Sequence, residues 1–522
     1  MTFRADVNAL RAVAVLSVVF YHFKIPFFNG GFVGVDIFFV ISGYLMTKII
    51  TTKLEVEGFR LGEFYSDRAF RILPALIFVV VVMLVWGWFF LYPLEYEQLA
   101  KESVSAVLFL SNMLFHSQNG YFDVSSENTF LLHTWSLSVE WQFYILYPIV
   151  LILVCKLFGV RSIKWFVLLL FSISFFHMLK TSLHEINTGF YLLVTRAWEM
   201  LAGGLLVLFP INTVVSESNK YRVQAVSCVL ILFSIFYIDT DINWPSFWSI
   251  LPVLATVLFL LANYQNSKII KNSLVALLGV TSYSIYLWHW PVFILMNMYG
   301  LLDSIIMKML GIMVSIGLGY LSYEKIEKTF INIKYKNKHN KRKLVLISIS
   351  FFLFSLPAWA IYKLDGVELD IRGINQGEKS EFIAHYNDIH KYKLEQAYLF
   401  KCDFYDLKTN KAKAKIDKSC TNNQLVTNNS ENTIFVWGDS HAQAMAYGLR
   451  KVFTNYSFNQ VATSGCSPSL SSQEVNRLNN NCNKSNQFAL SEIRRLKPDY
   501  VFLAQRQYHE KTDWIALKNQ LI

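Results

Sequence analysis

Several residues in this sequence have types and spacings suited to chemistry. Ser440 stands in WGDSHA, residues 437–442, on a Gly-Asp-Ser turn. A serine so placed could be the nucleophile of a hydrolysis or an acyl transfer, given a base to activate it. Arg11 and His22 lie in one apolar stretch. Their spacing is three helical turns, so both point the same way, about 16 Å apart along the axis. Asp36 follows in GFVGVDIFFVISGY and could orient or charge-pair His22. Histidine is suited to proton transfer near neutral pH, and a carboxylate partner fixes its tautomer. Arg68 and Arg71 in FYSDRAFRILP share a helical face just before Pro74. Two guanidiniums there could grip a phosphate-bearing ligand. His133 and Glu140 in HTWSLSVEWQFY stand two turns apart on one face, and a carboxylate inside so aromatic a stretch is hard to explain structurally. Arg196 and Glu199 in RAWEMLAGG form a pair that could neutralise itself, and His289 lies between tryptophans in SYSIYLWHWP. Plainer explanations stay open for these groups: a snorkelling arginine, an interfacial histidine, a basic flank, an aromatic belt.

The surrounding chain must position them. Of 522 residues 54% are hydrophobic and 16% charged, against about 25% charged in soluble proteins. The first two thirds repeat apolar runs long enough to cross a hydrocarbon core of about 30 Å as a helix. Candidate spans lie near 6–22, 32–50, 73–92, 135–155, 164–180, 190–209, 222–238, 247–263, 274–298, 304–323 and 344–363. A charged side chain in a span costs about 2.5–3.5 kcal/mol on insertion scales, so each asks for a reason. The run 104–115 is ambiguous, and charge decides it. If it does not cross, the later basic loops fall on the cytoplasmic side, including EKIEKTFINIKYKNKHNKRK at 324–343. The run is therefore read as re-entrant or interfacial. That gives about eleven transmembrane helices, with the N-terminus inside and the C-terminus outside. The net charge of +11 gathers in these loops and is no nucleic-acid signal. The first apolar run carries Arg4, Asp6 and Arg11 and reads as a retained span rather than a cleaved leader.

Cys155 and Cys228 fall in apolar spans and read as free thiols. Cys402, Cys420, Cys466 and Cys482 all follow the last span. Four cysteines allow three pairings, of which the local ones, 402–420 and 466–482, are preferred. Disulfides need an oxidising compartment, which agrees with the outer C-terminus. Residues 331–363 read as a basic cytoplasmic loop and an added span, and 364–430 as a polar linker. A small α/β unit follows: TIFVWGDS as strand and turn, HAQAMAYGLRKVF as helix, FNQVATSGC and PDYVFLAQ as further strands.

In order, spacing and residue type, RAVAVLSVVFYH, GGFVGVDIFFVISGYL, FYSDRAFRILPAL, HTWSLSVEWQFYILYP, RAWEMLAGG and SYSIYLWHWP closely resemble the acyltransferase-3 family of membrane acyltransferases over residues 1–330. FVWGDSHA and the later SGC resemble the SGNH domain that some members carry after an extra span. The resemblance implies a polytopic α-helical membrane domain followed by a periplasmic α/β SGNH-type domain at 431–522, in a bacterial inner membrane. It implies an O-acetyltransferase that takes acetyl-CoA from the cytoplasm and modifies a surface polysaccharide or its lipid-linked precursor, lipopolysaccharide O-antigen first and peptidoglycan as the alternative. It places the family's R-x10-H motif on Arg11 and His22 and its basic pair on Arg68 and Arg71. From the residues themselves, Asp36 and Glu140 join His22 and Ser440 as catalytic candidates. The backbone N–H groups of Ser440 and Gly465 would form the oxyanion hole. No metal is expected.

The sequence departs from the SGNH pattern at its end. No D-x-x-H follows Ser440; His509 stands in RQYHEKTD without that spacing, and LAQRQ replaces the usual asparagine block. The outer domain therefore reads as truncated. Two other classes compete: a transporter or flippase of an acyl or glycan species, and an outer module that only presents glycan to the membrane site.

Overall fold

The computed structural model describes residues 4–56, 58–118, 129–184, 189–210, 217–239, 242–336, 351, 353–369, 371–373, 398–406, 411–422, 425, 432–469, 479–505 and 517–518. The chain divides into two compact units, Met1–Asn375 and Gln376–Ile522.

The first unit is helical. Its elements are α1 (Ala5–His22), α2 (Gly34–Glu55), α3 (Leu61–Phe90), α4 (Pro93–Val107), α5 (Ser111–Gln118), α6 (Thr134–Phe158), α7 (Ile163–His184), α8 (Leu193–Leu208), α9 (Glu217–Tyr237), α10 (Ile250–Ala262), α11 (Ser273–Met298), α12 (Ile305–Ser322), α13 (Lys328–Lys336) and α14 (Ser355–Lys363). Among the described residues seven helices are long and apolar enough to cross a membrane. α8, with 16 residues, and α10, with 13, are shorter than that. The ambiguous run 104–115 is not one helix: α4 ends at Val107, Phe109 turns with φ 55°, and α5 begins at Ser111. The added span read at 344–363 lies partly outside the described residues, and the basic stretch 337–343 lies wholly outside them.

Two helix pairs set the positions of the polar side chains. In lipid there is no hydrophobic drive between helices, so small residues that let backbones touch do that work. A Cβ on Gly43 of α2 would lie 1.7 Å from the Met200 carbonyl oxygen of α8, and one on Gly203 would lie 2.0 Å from that of Val40. Thr47 meets Gly204, and Asp36 meets Arg196. Contacts thus advance in the same direction along both helices, and α2 and α8 run parallel. α1 and α11 repeat the arrangement. Asn8 donates to the Ala276 carbonyl at 2.8 Å and lies against Gly279, while His22 meets His289 further along.

A substitution at Gly43 has nowhere to put its side chain except into backbone. Overpacking typically costs 1–3 kcal/mol where side chains can give way. Gly43→Val is expected to cost about 3 kcal/mol or more, because a backbone cannot give way so cheaply. Gly62→Ala, where nothing lies within 4 Å, is the matched control. The thermal midpoint of the detergent-purified protein, followed by size exclusion, checks both.

The second unit holds a three-stranded parallel sheet, ordered β4-β3-β5, from β3 (Thr433–Gly438), β4 (Ser457–Ala462) and β5 (Tyr500–Ala504). A two-residue antiparallel pair, β1 (Tyr405–Asp406) with β2 (Lys411–Ala412), precedes it. The central strand β3 alternates with the pleat. Phe435 and Trp437 share a core with Val461, Ala489 and Ile493. Ile434 and Val436 share another with Phe458, Ala442 and Ala446. Helix α15 (Ser440–Val452) links β3 to β4, and α16 (Asn479–Leu496) precedes β5. Cys402 is joined to Cys420 and Cys466 to Cys482, while Cys155 and Cys228 are free.

Candidate functional site

Two groups of polar side chains in the helical unit are linked by α1. The first surrounds Glu140 on α6. Its carboxylate accepts hydrogen bonds from the hydroxyls of Ser42 and Tyr144. Arg11 and Arg68 lie within electrostatic reach of Glu140 and of Arg71. Glu327 completes the set: it lies within reach of Arg11 and Arg71 and accepts from Ser284 Oγ at 3.3 Å. Three guanidiniums thus face two carboxylates, with a third, Asp67 beside Arg68, taken by Lys334, which leaves an excess of positive charge suited to an anionic ligand.

The second group lies at the C-terminal end of α1. A cavity of about 860 Å³ opens there, lined by His22, Asp36, His133, Arg196 and aromatic rings that include Trp135, Trp244 and Trp290. His22 Nδ1 lies 3.0 Å from His289 Nε2, and the two rings meet edge to edge, 24° from coplanar, with centroids 5.1 Å apart. Trp290 meets the His22 ring edge-on at 4.7 Å. His133 is buried, with its ring centroid 5.7 Å from that of His289. Tyr286 holds this corner together, donating to the His133 carbonyl at 2.9 Å and lying 2.7 Å from Ser136 Oγ.

Asp36 does not pair with His22, as the sequence suggested. Its Oδ1 takes an ion pair at 3.1 Å from Arg196, which also holds Glu199 at 2.9 Å. All three side chains are at most 1% exposed. The guanidinium lies 5.3 Å from the Phe39 ring centroid and 5.6 Å from that of Trp135. The parallel register of α2 and α8 causes this, bringing Asp36 to the level of Arg196. Nor does Glu140 join the histidines: two turns along α6 from His133, it meets the arginines instead.

In the second unit Ser440 opens α15 directly after β3. Asp439 caps that helix, accepting the His441 N–H at 2.8 Å, and His441 Nδ1 lies 3.2 Å from the same carboxylate oxygen. Gly438 pairs with Ala462, so the loops carrying Ser440 and Gly465 leave the same edge of adjacent parallel strands. Ligands of open parallel sheets gather at that edge. Gly465 has φ 85°, in the region that favours glycine. Its neighbour Ser464 is fixed by Asp403, through N–H to Oδ1 at 3.1 Å and Oγ to Oδ2 at 2.6 Å. Behind it, Arg450 donates to Gln460 at 2.6 Å, and burial lowers the arginine's pKa from its ordinary value. His509 and the stretch 506–516 lie outside the described residues. Among the described residues no group of three or more His, Cys, Asp or Glu is arranged to hold a metal ion.

Residues 4–324 match the acyltransferase domain of the acyltransferase-3 family. The chain belongs to that family. Residues 402–519 match the SGNH domain found fused to acyltransferase-3 domains. The chain is 29% identical over 308 residues to the O-acetyltransferase OatA of Staphylococcus aureus, covering 56% of this chain and 51% of that protein. It is 30% identical over 306 residues to the peptidoglycan O-acetyltransferase OatA of Listeria monocytogenes, covering 55% and 49%. An uncharacterized protein of Haemophilus influenzae is 36% identical over 244 residues, 44% of this chain and 99% of that one. The chain spans about half the length of the two named O-acetyltransferases. No solved structure matches it.

Within the acyltransferase-3 unit, the structure gathers Arg11, Arg68, Arg71 and Glu140 at one site and His22 and Asp36 around another. The sequence reading missed Glu327, hidden in a basic stretch. In the SGNH unit it missed Asp403, next to Cys402 in what read as linker.

Proposed function

We propose that this acyltransferase-3 protein moves an acetyl group across a bacterial inner membrane, from cytoplasmic acetyl-CoA to a hydroxyl of a surface polysaccharide. The observation that carries the reading is α1: Arg11 joins the arginine cluster, and His22, three turns on, lines the cavity. In this reading the N-terminus is cytoplasmic and the SGNH unit periplasmic. Arg11, Arg68 and Arg71 hold the phosphates of the donor, with Glu140 and Glu327 limiting the excess charge. The thioester end extends along α1 to His22. There His22 takes the proton of an accepting hydroxyl as that oxygen forms a bond to the acyl carbon, and Ser440 carries the acetyl group onward as an ester. The carbon–sulfur bond breaks, and the coenzyme A thiolate takes the proton from His22. In a second transfer a sugar oxygen attacks the acetyl-serine ester, and Ser440 Oγ leaves with a proton. Two transfers replace one difficult one. The N–H groups of Ser440 and Gly465 hold the developing oxyanion, and Asp403 fixes the loop that presents Gly465.

The acceptor read from the sequence is lipopolysaccharide O-antigen. The likeness to the peptidoglycan O-acetyltransferase OatA of Listeria monocytogenes favours peptidoglycan as a second reading. Mass spectrometry of both polymers, from cells with and without the gene, decides between them. Ser440→Ala tests the relay. Polysaccharide acetylation is expected to fall by about 10³-fold or more, as when a covalent nucleophile is removed. Unchanged acetylation would take Ser440 off the path and leave the SGNH unit to present glycan.

A further inference from the structure

We propose that His289 is the positioning residue for His22, holding it in the tautomer with hydrogen on Nδ1 and a bare lone pair on Nε2. The proposal rests on the reading of His22 as the base of acyl transfer. It replaces the carboxylate that this role ordinarily uses with a second imidazole.

The argument is one of donors and acceptors. His289 Nδ1 lies 2.5 Å from the Tyr286 carbonyl oxygen, one turn earlier on α11. A carbonyl oxygen only accepts, so that nitrogen carries hydrogen. A neutral imidazole carries one hydrogen, so His289 Nε2 is a lone pair. A second hydrogen would charge a ring that is 0% exposed and, among the described residues, has no carboxylate hydrogen-bonded to it, a costly arrangement. His22 Nδ1, 3.0 Å from that lone pair, is then the donor. Its one hydrogen is spent there, and Nε2 of His22 is left able to take a proton. When it does so, Nδ1–H still donates to His289, so the same contact serves both charge states.

Three further observations agree. His22 lines the cavity and His289 does not, so His289 acts through its neighbour rather than on substrate. The nearly coplanar contact with His289 and the edge-on Trp290 ring fix the plane of His22. Asp36, the other candidate to orient His22, is committed to Arg196.

The test uses the full-length protein in membrane vesicles, supplied with radiolabelled acetyl-CoA and polysaccharide from cells lacking the gene. His289→Leu removes the acceptor, whereas His289→Gln keeps an oxygen able to take the His22 Nδ1–H. For His289→Leu, kcat is expected to fall about 100-fold, within the range of a positioned base, with KM for acetyl-CoA changed less than about 2-fold. His289→Gln is expected to recover about 10-fold of that loss, which a purely space-filling role would not give. Wild-type activity in His289→Leu, or equal impairment in both variants, overturns the proposal. His22→Ala runs in parallel. If it stays active, the base reading itself fails; if it is inactive while His289→Leu is active, only the role of His289 falls. Should neither His289 variant fold, nitrogen-15 NMR of histidine-labelled wild-type protein gives the answer directly. Signals assigned to His22 by their loss in His22→Gln are expected to show hydrogen on Nδ1, and hydrogen on Nε2 overturns the assignment.

Discussion

His22→Ala is expected to lower polysaccharide O-acetylation by about 10²–10⁴-fold, the contribution of a positioned general base. The loss should appear in kcat, because the proposed scheme places the donor's phosphates at the arginine cluster, about 16 Å along α1. The variant should still fold. His22 lines a cavity rather than a packed core, and its removal leaves His289 with the Tyr286 carbonyl as partner. Mass spectrometry of the polymer gives the acetylation level, and size exclusion in detergent gives the folding control. Activity near wild type in a correctly folded His22→Ala would remove the base from the scheme.

Arg196→Met should have a larger effect on the fold than on any single chemical step. Arg196, Asp36 and Glu199 are all at most 1% exposed, and one guanidinium serves both carboxylates. Breaking a buried pair by removing one partner costs about 3–5 kcal/mol, because the charge left behind has no compensation. Here two carboxylates are left. Arg196→Met alone is therefore expected to yield little protein that elutes as a single species. Combining it with Asp36→Asn and Glu199→Gln removes the stranded charges and should restore much of the loss, since replacing a whole buried ion group is often near neutral. A triple variant no better than Arg196→Met would show that shape, not charge, fixes this position.

What was legible in the sequence was mostly local. Apolar runs announce helices, and the Arg68–Arg71 and Arg11–His22 spacings announce which side chains share a face. Partners across the bundle were not legible. Asp36 and Arg196 are 160 residues apart, and only the contact of Gly43 with α8 and of Gly203 with α2 brings them level. The glycines in RAWEMLAGG carried that signal, but Glu199, one turn from Arg196, offered a nearer partner. His289 between tryptophans had an ordinary interfacial explanation, and its link to His22 depends on the parallel packing of α1 and α11. Asp403 was obscured by composition: a polar stretch reads as linker until the sheet shows Phe404 N–H bonded to the Ala462 carbonyl at 3.0 Å.

The imidazole chain that begins at His22 stops on the carbonyl of Tyr286. A carbonyl oxygen has no hydrogen of its own to release and cannot hand one onward. Along this route the row of rings is a cul-de-sac, not a wire. A hydrogen ion that His22 picks up therefore does not leave along this row; in the proposed transfer it passes to the coenzyme A thiolate. The row of rings thus offers hydrogen ions no relay of its own, and the electrochemical gradient of a surrounding membrane would not discharge along it.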